Sequence, residues 1–501
     1  MSRTLRRALT VAAIVAACTL VGRADIAKGD AELQFQLANL LSDENRYNEA
    51  LQAFDKAIQS DDPELVAKAR KGKVRTALRV AEFAIAREEA ERLRENNPKD
   101  PEGLSLYGDS LWAAGLFDEA DRAYRDALAI SPNLSRARFG LARSLATRSR
   151  LDEALNEALV ASAASPRDGD IHAGIGDIYE RLHRYDEAAN SYTNFINLLP
   201  NKDRSDKAIW SRTQVRFLEA FQGKTPVDID AEDAATLHTV PFRLVDEKIV
   251  VKARVNGSKP MDFVLDTGSE ETVVSRETAQ RQGVRPITYT LSAGVGEVGL
   301  RGLQLARLDS LEIGDLQIRN LPVLIKNPAL RGIPKREGES FSPLSIGLSM
   351  KIDYQNRLLT IGRDLPRRDA DITLPMRVHR LAMVRGVVNS SHPTYFVVDT
   401  GGEVISLSTD TVGTLEKSNY RRIPLRVYGT SGWDRDAFLL PGMNLDFDSI
   451  NYRNIPLVVL NLRAPSVLLG FQLGGIVGHK FLSQYRVSMD IARSELRLEK
   501  F

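Results

Sequence analysis

The 501-residue sequence contains one cysteine, Cys18, and six histidines. A single thiol excludes an intrachain disulfide and any Cys-x-x-Cys redox or metal site. The histidines, at positions 172, 183, 238, 379, 392 and 479, form no His-x-x-x-His pair, so the ligand pattern of a zinc hydrolase is missing. The sequence also has no Gly-x-Ser-x-Gly motif of a serine hydrolase. Carboxylates remain as the obvious hydrolytic groups, and we expect neither a metal nor a cofactor.

The charge balance is nearly neutral, with 68 Lys and Arg against 66 Asp and Glu. No basic run with interleaved aromatic residues occurs, so the sequence gives no indication of nucleic-acid binding. A hydrophobic content of 43% with 27% charged residues is typical of a soluble globular protein that can bury a large core. The length predicts several domains, about three.

The N-terminus is typical of an export signal, predicted over residues 1–24. Three arginines within the first seven residues precede an apolar stretch, residues 8–17, that is too short to span a bilayer stably. Val15-Ala16-Ala17-Cys18 resembles a bacterial lipobox, which would make Cys18 a lipidated first residue attached to a membrane. Cleavage after Ala24 with simple secretion, or an uncleaved anchor, are the alternatives. Each places the folded protein outside the cytoplasm, in the periplasm or cell envelope or secreted.

Residues 30–222 repeat with a period of 34, which is most visible in the prolines at positions 98, 132, 166 and 200. Small residues and aromatics recur in phase: Gly108, Ala120, Tyr124 and Ala127 in one unit, and Gly176, Ala188, Tyr192 and Phe195 in another. This pattern resembles tetratricopeptide (TPR) repeats, in which small residues let paired helices approach around an aromatic side chain. We count five repeats and a capping helix near 205–221. The resemblance implies a groove for a protein partner; a rigid spacer is the alternative.

Residues 223–238 have no period and are predicted to be a linker. After residue 238 the sequence pattern changes to the alternating hydrophobicity of β-strands, and this pattern occurs twice. Residues 245–255 precede the hairpin turn signal Asn256-Gly257, and residues 383–388 precede Asn389-Ser390-Ser391. The duplication predicts two lobes, residues 239–365 and 366–501.

The same tripeptide, Asp-Thr-Gly, ends an apolar run in each lobe. Phe263-Val264-Leu265 leads into Asp266-Thr267-Gly268-Ser269, and 133 residues later Phe396-Val397-Val398 leads into Asp399-Thr400-Gly401-Gly402. Each carboxylate is thus placed at the end of a predicted buried strand. Two carboxylates brought together share one proton, so one can deprotonate a water while the other protonates a carbonyl.

These residues resemble the motifs of aspartic proteases, retropepsin-like or pepsin-like. The resemblance implies that Asp266 and Asp399 are catalytic, that Thr267 and Thr400 cross-brace the two loops, and that Gly268 and Gly401 allow close approach to the dyad. The family also has a hydrophobic-hydrophobic-Gly motif after each Asp. We assign it to Ser345-Ile346-Gly347 and Ile476-Val477-Gly478, which follow the two aspartates by 81 and 79 residues.

Lobe two departs from the family pattern because Gly402 stands where Ser, Thr or Ala is usual. If Ser269 donates a hydrogen bond to Asp266 and Gly402 cannot do so for Asp399, Asp266 carries the charge and Asp399 the proton. This assignment is a hypothesis, because a coupled pair titrates as a unit. Gly402 and the polar Ser345 also keep open an inactive descendant of a protease.

Glycine-rich segments lie where the resemblance implies mobile flaps over the substrate. In lobe one the candidates are Gly294, Gly296 and Gly299, whose spacing also matches a dinucleotide fingerprint. That alternative fails because the following residues predict two short strands and no crossover helix. In lobe two the candidates are Tyr428 and Trp433; Trp433 is either an exposed substrate contact or a buried anchor.

The expected fold is an α plus β multidomain chain: an all-α TPR solenoid followed by an all-β bilobal domain like that of aspartic proteases. The expected function is an exported aspartic endopeptidase whose repeats recruit a protein substrate or partner. An inactive binding scaffold of the cell envelope is the alternative. We expect a monomer with an internal pseudo-dimer; a dimer that pairs lobes between chains is the other arrangement.

Overall fold

A computed structural model describes residues 29–199, 206–296, 301–326, 338–415, 421–429 and 431–501. The predicted leader, Cys18 and Gly299 therefore lie outside the described residues. The chain forms two compact units. One comprises residues 1–114 and 122–132, and the other residues 115–121 and 133–501.

The first part of the chain is helical, as predicted. Its helices are α1 (29–43), α2 (Tyr47–Ala57), α3 (Pro63–Arg79), α4 (Phe83–Asn96), α5 (Pro101–Ala113), α6 (Phe117–Ile130), α7 (Ser135–Thr147), α8 (Leu151–Ala164), α9 (Gly169–Arg181), α10 (Tyr185–Leu198) and α11 (Asp206–Glu219). The 34-residue period thus corresponds to pairs of helices, with α11 in the place predicted for the capping helix. No described helix is both long and apolar enough to cross a lipid bilayer.

The repeating glycines lie where a helix meets an aromatic ring of its partner. A Cβ atom on Gly108 would lie 2.5 Å from the Tyr124 ring, and one on Gly176 would lie 2.7 Å from the Tyr192 ring. Both rings are fully buried. The small residue is therefore needed because a larger one would separate the helices.

Strands form almost all of the remaining architecture. They are β1 (His238–Pro241), β2 (Arg243–Val245), β3 (Lys248–Val255), β4 (Met261–Leu265), β5 (Thr272–Ser275), β6 (Pro286–Ser292), β7 (Arg301–Ile313), β8 (Leu316–Lys326), β9 (Ser340–Phe341), β10 (Ser349–Asp353), β11 (Leu358–Gly362), β12 (Ile372–His379), β13 (Leu381–Val388), β14 (His392–Val398), β15 (Ser406–Ser408), β16 (Ile423–Pro424), β17 (Val427–Gly429), β18 (Gly432–Asp434), β19 (Phe438–Phe447), β20 (Ile450–Leu460), β21 (Gly475–Val477), β22 (Tyr485–Asp490) and β23 (Glu495–Lys500). Short helices α12 (Ala231–Ala235), α13 (Arg276–Arg281), α14 (Thr409–Thr414), α15 (Arg463–Leu469) and α16 (His479–Leu482) connect them.

The two lobes repeat one barrel-like sheet. Lobe one has the strand order β2-β3-β4-β9-β5-β8-β7-β6, and β3 also pairs with β7. Lobe two has the order β13-β14-β21-β15-β20-β19-β16, and β13 also pairs with β19. The hairpin turns match as well, since Asn256, Gly257, Asn389 and Ser390 all have positive φ. Both inner faces contribute to one continuous apolar core.

Six antiparallel strands join the lobes, in the order β1-β11-β10-β22-β23-β12. At the centre, Met350 pairs with Met489 and Ile352 pairs with Val487, with Lys351 opposite Ser488. Each lobe-two residue here is equivalent to the lobe-one residue 137 positions earlier, so Met350 corresponds to Val487 and Ile352 to Met489. Exchanging equivalent residues therefore turns each pair into the other. A pseudo-two-fold axis therefore passes between Lys351 and Ser488.

The second unit also contains α7 to α11, which pack against the lobes. Tyr185 and Phe221 share an apolar cluster with Leu305 and Leu324. Arg377 of β12 is buried, forms ion pairs with Asp118 and Asp121, and donates a hydrogen bond to the Thr147 hydroxyl (3.0 Å). A buried arginine with paired carboxylates fixes orientation, because breaking either pair would leave an uncompensated charge.

The segment 223–238, predicted as a linker, packs against lobe one. It contains α12, and Val227 in it is buried. Arg319 of β8 forms ion pairs with Asp228 (2.8 Å) and Asp230 (2.6 Å). Two acidic residues of this segment thus bind a cation on the lobe surface.

Candidate active site

The two aspartates stand at equivalent strand ends. The amide of Asp266 donates to the Phe341 carbonyl (3.0 Å), and the amide of Asp399 donates to the Val477 carbonyl (3.0 Å). Each Asp strand is paired in parallel with a short strand, β4 with β9 and β14 with β21. The ends of two internal strands, each paired on both sides, therefore fix the starting points of the Asp-Thr-Gly loops.

This pairing corrects the hydrophobic-Gly motif of lobe one. The counterpart of Ile476-Val477-Gly478 is Ser340-Phe341-Ser342, because β9 is the strand that pairs beside Asp266. Ile346 instead ends a 3₁₀ helix, Pro343–Ile346, and Gly347 terminates it with φ of +77°. The motif pairs through backbone atoms, so it tolerates serine, and the sequence pattern alone favoured the wrong segment.

The hydroxyls of Thr267 and Thr400 brace the two loops through four hydrogen bonds. The Thr400 hydroxyl accepts from the Thr267 amide (3.1 Å) and donates to the Leu265 carbonyl (2.7 Å). The Thr267 hydroxyl accepts from the Thr400 amide (3.0 Å) and donates to the Val398 carbonyl (2.6 Å). Both threonines are buried, so the bonds are shielded from water.

This bracing brings the two carboxyl groups together. A Cβ atom on Gly268 would lie 2.4 Å from the Asp399 carboxyl carbon, and one on Gly401 would lie 2.6 Å from Asp266 Oδ1. Each carboxyl thus lies over the glycine of the opposite loop. Any side chain there would displace the pair, which explains both glycines.

The environment raises the pKa of both carboxyls. Burial, followed by the adjacent Asp399 carboxylate, raises the pKa of Asp266 to about 7. Burial also raises the pKa of Asp399, but the amides of Gly401 and Gly402 and the Lys248 ammonium oppose that rise. Asp266 receives a hydrogen bond from one loop amide, that of Gly268. Asp266 therefore holds the shared proton more readily.

This order reverses the sequence-based hypothesis for the pair. The Ser269 hydroxyl donates to the Glu271 carbonyl (2.7 Å) and not to Asp266. Gly402 compensates for its missing side chain through its backbone amide. A Cβ atom at this position would lie 2.8 Å from Asp399 Oδ2, so glycine is what allows that approach.

Two glycine-bearing segments, one from each lobe, line the same cavity as the two aspartates and contact each other. Residues 293–296 follow β6, and β17 pairs with β18 in lobe two. The Ser431 amide donates to the Val295 carbonyl (2.9 Å). Gly296, with φ of +136°, and Gly429 permit this contact, because a Cβ atom on either would lie within 2.6 Å of the opposite backbone. Gly294 and Tyr428 line the cavity below.

Trp433 is 41% exposed, and it packs edge-on against Tyr428 with ring centroids 5.3 Å apart. It is not among the residues that line the cavity.

The dyad opens into a cavity of about 1230 Å³. This volume exceeds a typical small-molecule pocket and is large enough for several residues of an extended peptide. Within the described ranges, no three or more His, Cys, Asp or Glu side chains are grouped to hold a metal ion.

Sequence reasoning missed Lys248, which begins β3 and donates to the Gly401 carbonyl (3.2 Å). Its ammonium lowers the pKa of both aspartates. Sequence reasoning also missed the cavity residues supplied by the helices, including Glu180 and Tyr185. A lysine at a hairpin and a glutamate on a repeat helix carry no local signal of such a position.

Family models match both parts of the chain. A model described as Aspartyl protease matches residues 251–349, which include Asp266. Models described as Tetratricopeptide repeat match residues 31–63, 71–135, 108–164 and 139–194. No curated protein matches the chain. The chain therefore combines tetratricopeptide repeats with a C-terminal domain that matches the aspartyl protease family.

Among solved structures, similar chains include a thermophilic TPR protein of Thermus thermophilus, with 19% identity and a TM-score of 0.32 over 37% of this chain and 98% of that one. YrrB, described as a TPR protein with an unusual peptide-binding site, has 22% identity and a TM-score of 0.24 over 38% and 96%. A tetratricopeptide repeat protein of Parabacteroides merdae has 17% identity and a TM-score of 0.29 over 38% and 72%.

Proposed function

We propose that this chain is an aspartic endopeptidase in which Asp266 and Asp399 activate one water for peptide hydrolysis. The observation that carries the proposal is the pair of adjacent carboxyls, braced through the two threonines and opening into a peptide-sized cavity. Both aspartates come from one chain, which supports a monomer with an internal pseudo-dimer.

The proposed reaction has two proton-coupled steps. Asp399, as the carboxylate, removes a proton from water while the water oxygen bonds to the scissile carbonyl carbon. Asp266 transfers its proton to the carbonyl oxygen, which gives a neutral gem-diol. In the second step Asp399 passes its proton to the amide nitrogen, one gem-diol hydroxyl gives a proton to Asp266, and the C–N bond breaks, so that a carboxylic acid and an amine leave. Each step keeps one proton on the pair, as its raised pKa values favour.

Turnover of a denatured protein by the full chain tests this function. Asp266→Asn and Asp399→Asn are each expected to lower kcat by at least about 10³-fold, because each removes a group that moves a proton in the transition state. Asp309→Asn is the matched control, since Asp309 has a side chain 75% exposed on lobe one. Equal activity in all four proteins would overturn the proposal. No turnover in the wild-type chain would favour the inactive scaffold.

We also propose that the repeats recruit a protein substrate or partner. Repeat arrays of this kind present extended concave surfaces suited to polypeptides. Comparing kcat/KM for a folded candidate partner with that for a short peptide, in the full chain, tests recruitment. A rigid spacer would show no advantage for the larger substrate.

Export, with lipidation at Cys18, is the proposed cellular context. Its support is the N-terminal sequence pattern. Fractionation and intact mass of wild-type and Cys18→Ser chains test it: loss of membrane attachment in the variant supports lipidation. A secreted or anchored wild-type chain that is unaffected by the substitution would refute it.

A further inference from the structure

Helices of the repeat region line one end of the catalytic cavity. Glu180 of α9, Tyr185 of α10 and Trp210 of α11 lie on its wall, together with Asp266. On the lobe side, this end is formed by the stretch Glu270-Glu271, which follows the Asp-Thr-Gly-Ser loop. The repeats therefore contribute directly to the wall of the proposed substrate site.

Carboxylates predominate at this end. Glu270 forms an ion pair with Arg380. The Glu180 carboxylate accepts hydrogen bonds from the Tyr192 hydroxyl (3.1 Å) and from the Gln214 amide. These donors are neutral, so they bring no positive charge to Glu180, and burial raises its pKa to about 7 against the opposing charge of Arg380.

Glu271 is the unsatisfied member of the group. Within the described residues, its carboxylate takes part in no hydrogen bond or ion pair, although it lies on the cavity wall. Burial, and then the neighbouring Glu180 and Glu270, raise the pKa of Glu271 well above its usual value. The Glu271 side chain is partly buried and lines the cavity, so a cation in the cavity would give its carboxylate a partner.

In the described part of the chain, the nearby basic side chains form no ion pair with Glu271, although the Arg380 charge lowers its pKa. Arg181, which also lines the cavity, donates to the Ala146 carbonyl (2.8 Å). Arg380 is engaged with Glu270. Burial lowers the pKa of His183 to about 4, which keeps that ring neutral near pH 7. Lobe two has no counterpart of the Glu271 carboxylate. Glu271 is the fifth residue after Asp266, and the fifth residue after Asp399 is Val404.

We propose that Glu271 and Glu180 form a subsite that binds a cationic group of the substrate, either a Lys or Arg side chain or a free α-ammonium group. The subsite deepens the proposed protease function and rests on it. It would select peptides with a positive charge at the position that contacts Glu271 and Glu180.

Binding at this subsite is linked to protons. The groups that face Glu271 are Glu180, Glu270, Tyr185 and Arg380. A bound cation favours the ionised carboxylate, so binding releases a proton and tightens as pH rises. A neutral substrate would not show this gain.

Fluorescence-quenched peptide substrates, compared in pairs that differ by one heavy atom, test the subsite in the full chain. A set with arginine at each position around the scissile bond is compared with the citrulline set, which has the same shape without the charge. We expect kcat/KM to favour arginine about 10- to 100-fold at one position, as for a hydrogen bond between charged groups. Free and acetylated N-termini separate an α-ammonium group from a side chain.

Variants locate the charge preference. In Glu271→Gln and in Glu180→Gln the arginine-to-citrulline ratio should fall toward one. Glu403→Gln is the matched control, because Glu403 follows Asp399 by the same four residues by which Glu270 follows Asp266. Glu403 is not part of the proposed subsite, so this variant should keep the wild-type ratio. Equal kcat/KM for arginine and citrulline at every position in wild type would overturn the subsite while leaving the hydrolytic function intact.

A binding measurement separates the subsite from catalysis. Peptides with a reduced, uncleavable bond are titrated by fluorescence anisotropy against wild-type and Glu271→Gln chains. Charge-dependent binding that disappears in the variant supports the subsite even if hydrolysis fails. Equal affinity of the arginine and citrulline peptides for the wild-type chain, or no binding of either peptide, overturns the subsite.

Discussion

Replacing Thr400 by alanine tests the bracing of the dyad. The change removes a hydroxyl that accepts from the Thr267 amide and donates to the Leu265 carbonyl, both in a buried setting. Two buried backbone groups lose their partners, at a cost of about 1–3 kcal/mol each, so the loops should be destabilised by about 2–6 kcal/mol. Thr400→Ser keeps the hydroxyl and loses one methyl group, which costs about 1 kcal/mol.

Amide hydrogen exchange of the peptides that carry the two Asp-Thr-Gly loops measures this local stability directly. A loss of about 3 kcal/mol accelerates exchange about 10²-fold. We expect that acceleration in both loops of Thr400→Ala, including the lobe-one loop, and less than about tenfold in Thr400→Ser. If the alanine and serine variants exchange alike, or if the lobe-one loop is unaffected, the bracing across the lobes does not hold the dyad.

Three further outcomes follow from the site. Activity should fall as pH rises through about 7, where the pair loses the proton that Asp266 holds. In Lys248→Met this fall in activity should move to higher pH, because removing the ammonium raises the pKa of both aspartates. Burial raises the pKa of Glu180 from 4.5 to about 7 in the folded chain, so this carboxyl keeps its proton to a higher pH than it does in the unfolded chain. Unfolding free energy should therefore decrease by about 3 kcal/mol between these pH values, and urea titrations of Glu180→Gln should show a smaller decrease. Gly402→Ser should lower kcat, since its Cβ atom would lie 2.8 Å from Asp399 Oδ2; wild-type kcat and pH profile in this variant would contradict the close approach.

The periodic features of the sequence were sufficient for the fold. The 34-residue spacing predicted the helix pairs, because packing around Tyr124 and Tyr192 requires a small residue at fixed spacing. The repeated apolar run before Asp-Thr-Gly predicted two equivalent strand ends. The 34-residue spacing and the apolar run before Asp-Thr-Gly are both local sequence patterns, so they can be recognised without knowledge of the tertiary structure.

The finer site features depend on tertiary contacts that no local pattern encodes. The hydrophobic-Gly motif was misplaced in lobe one because strand pairing beside Asp266 uses backbone atoms of Ser340 and Phe341. The proton order of the dyad was reversed because the amides of Gly401 and Gly402 both act on Asp399, whereas only the amide of Gly268 acts on Asp266. The helical wall of the cavity depends on how Glu180 packs near Asp266, which is 86 residues away in the sequence.

Titration of the full chain with a peptide that carries a statine-like hydroxyl at the scissile position tests the central claim most directly. The hydroxyl imitates the gem-diol, so it binds where two carboxyls share one proton. The account predicts that activity reaches zero at one equivalent of inhibitor per chain, and that Asp266→Asn and Asp399→Asn each weaken binding by more than about 10²-fold. One equivalent per two chains would contradict a dyad formed within one chain, and unchanged affinity in both variants would contradict the dyad itself.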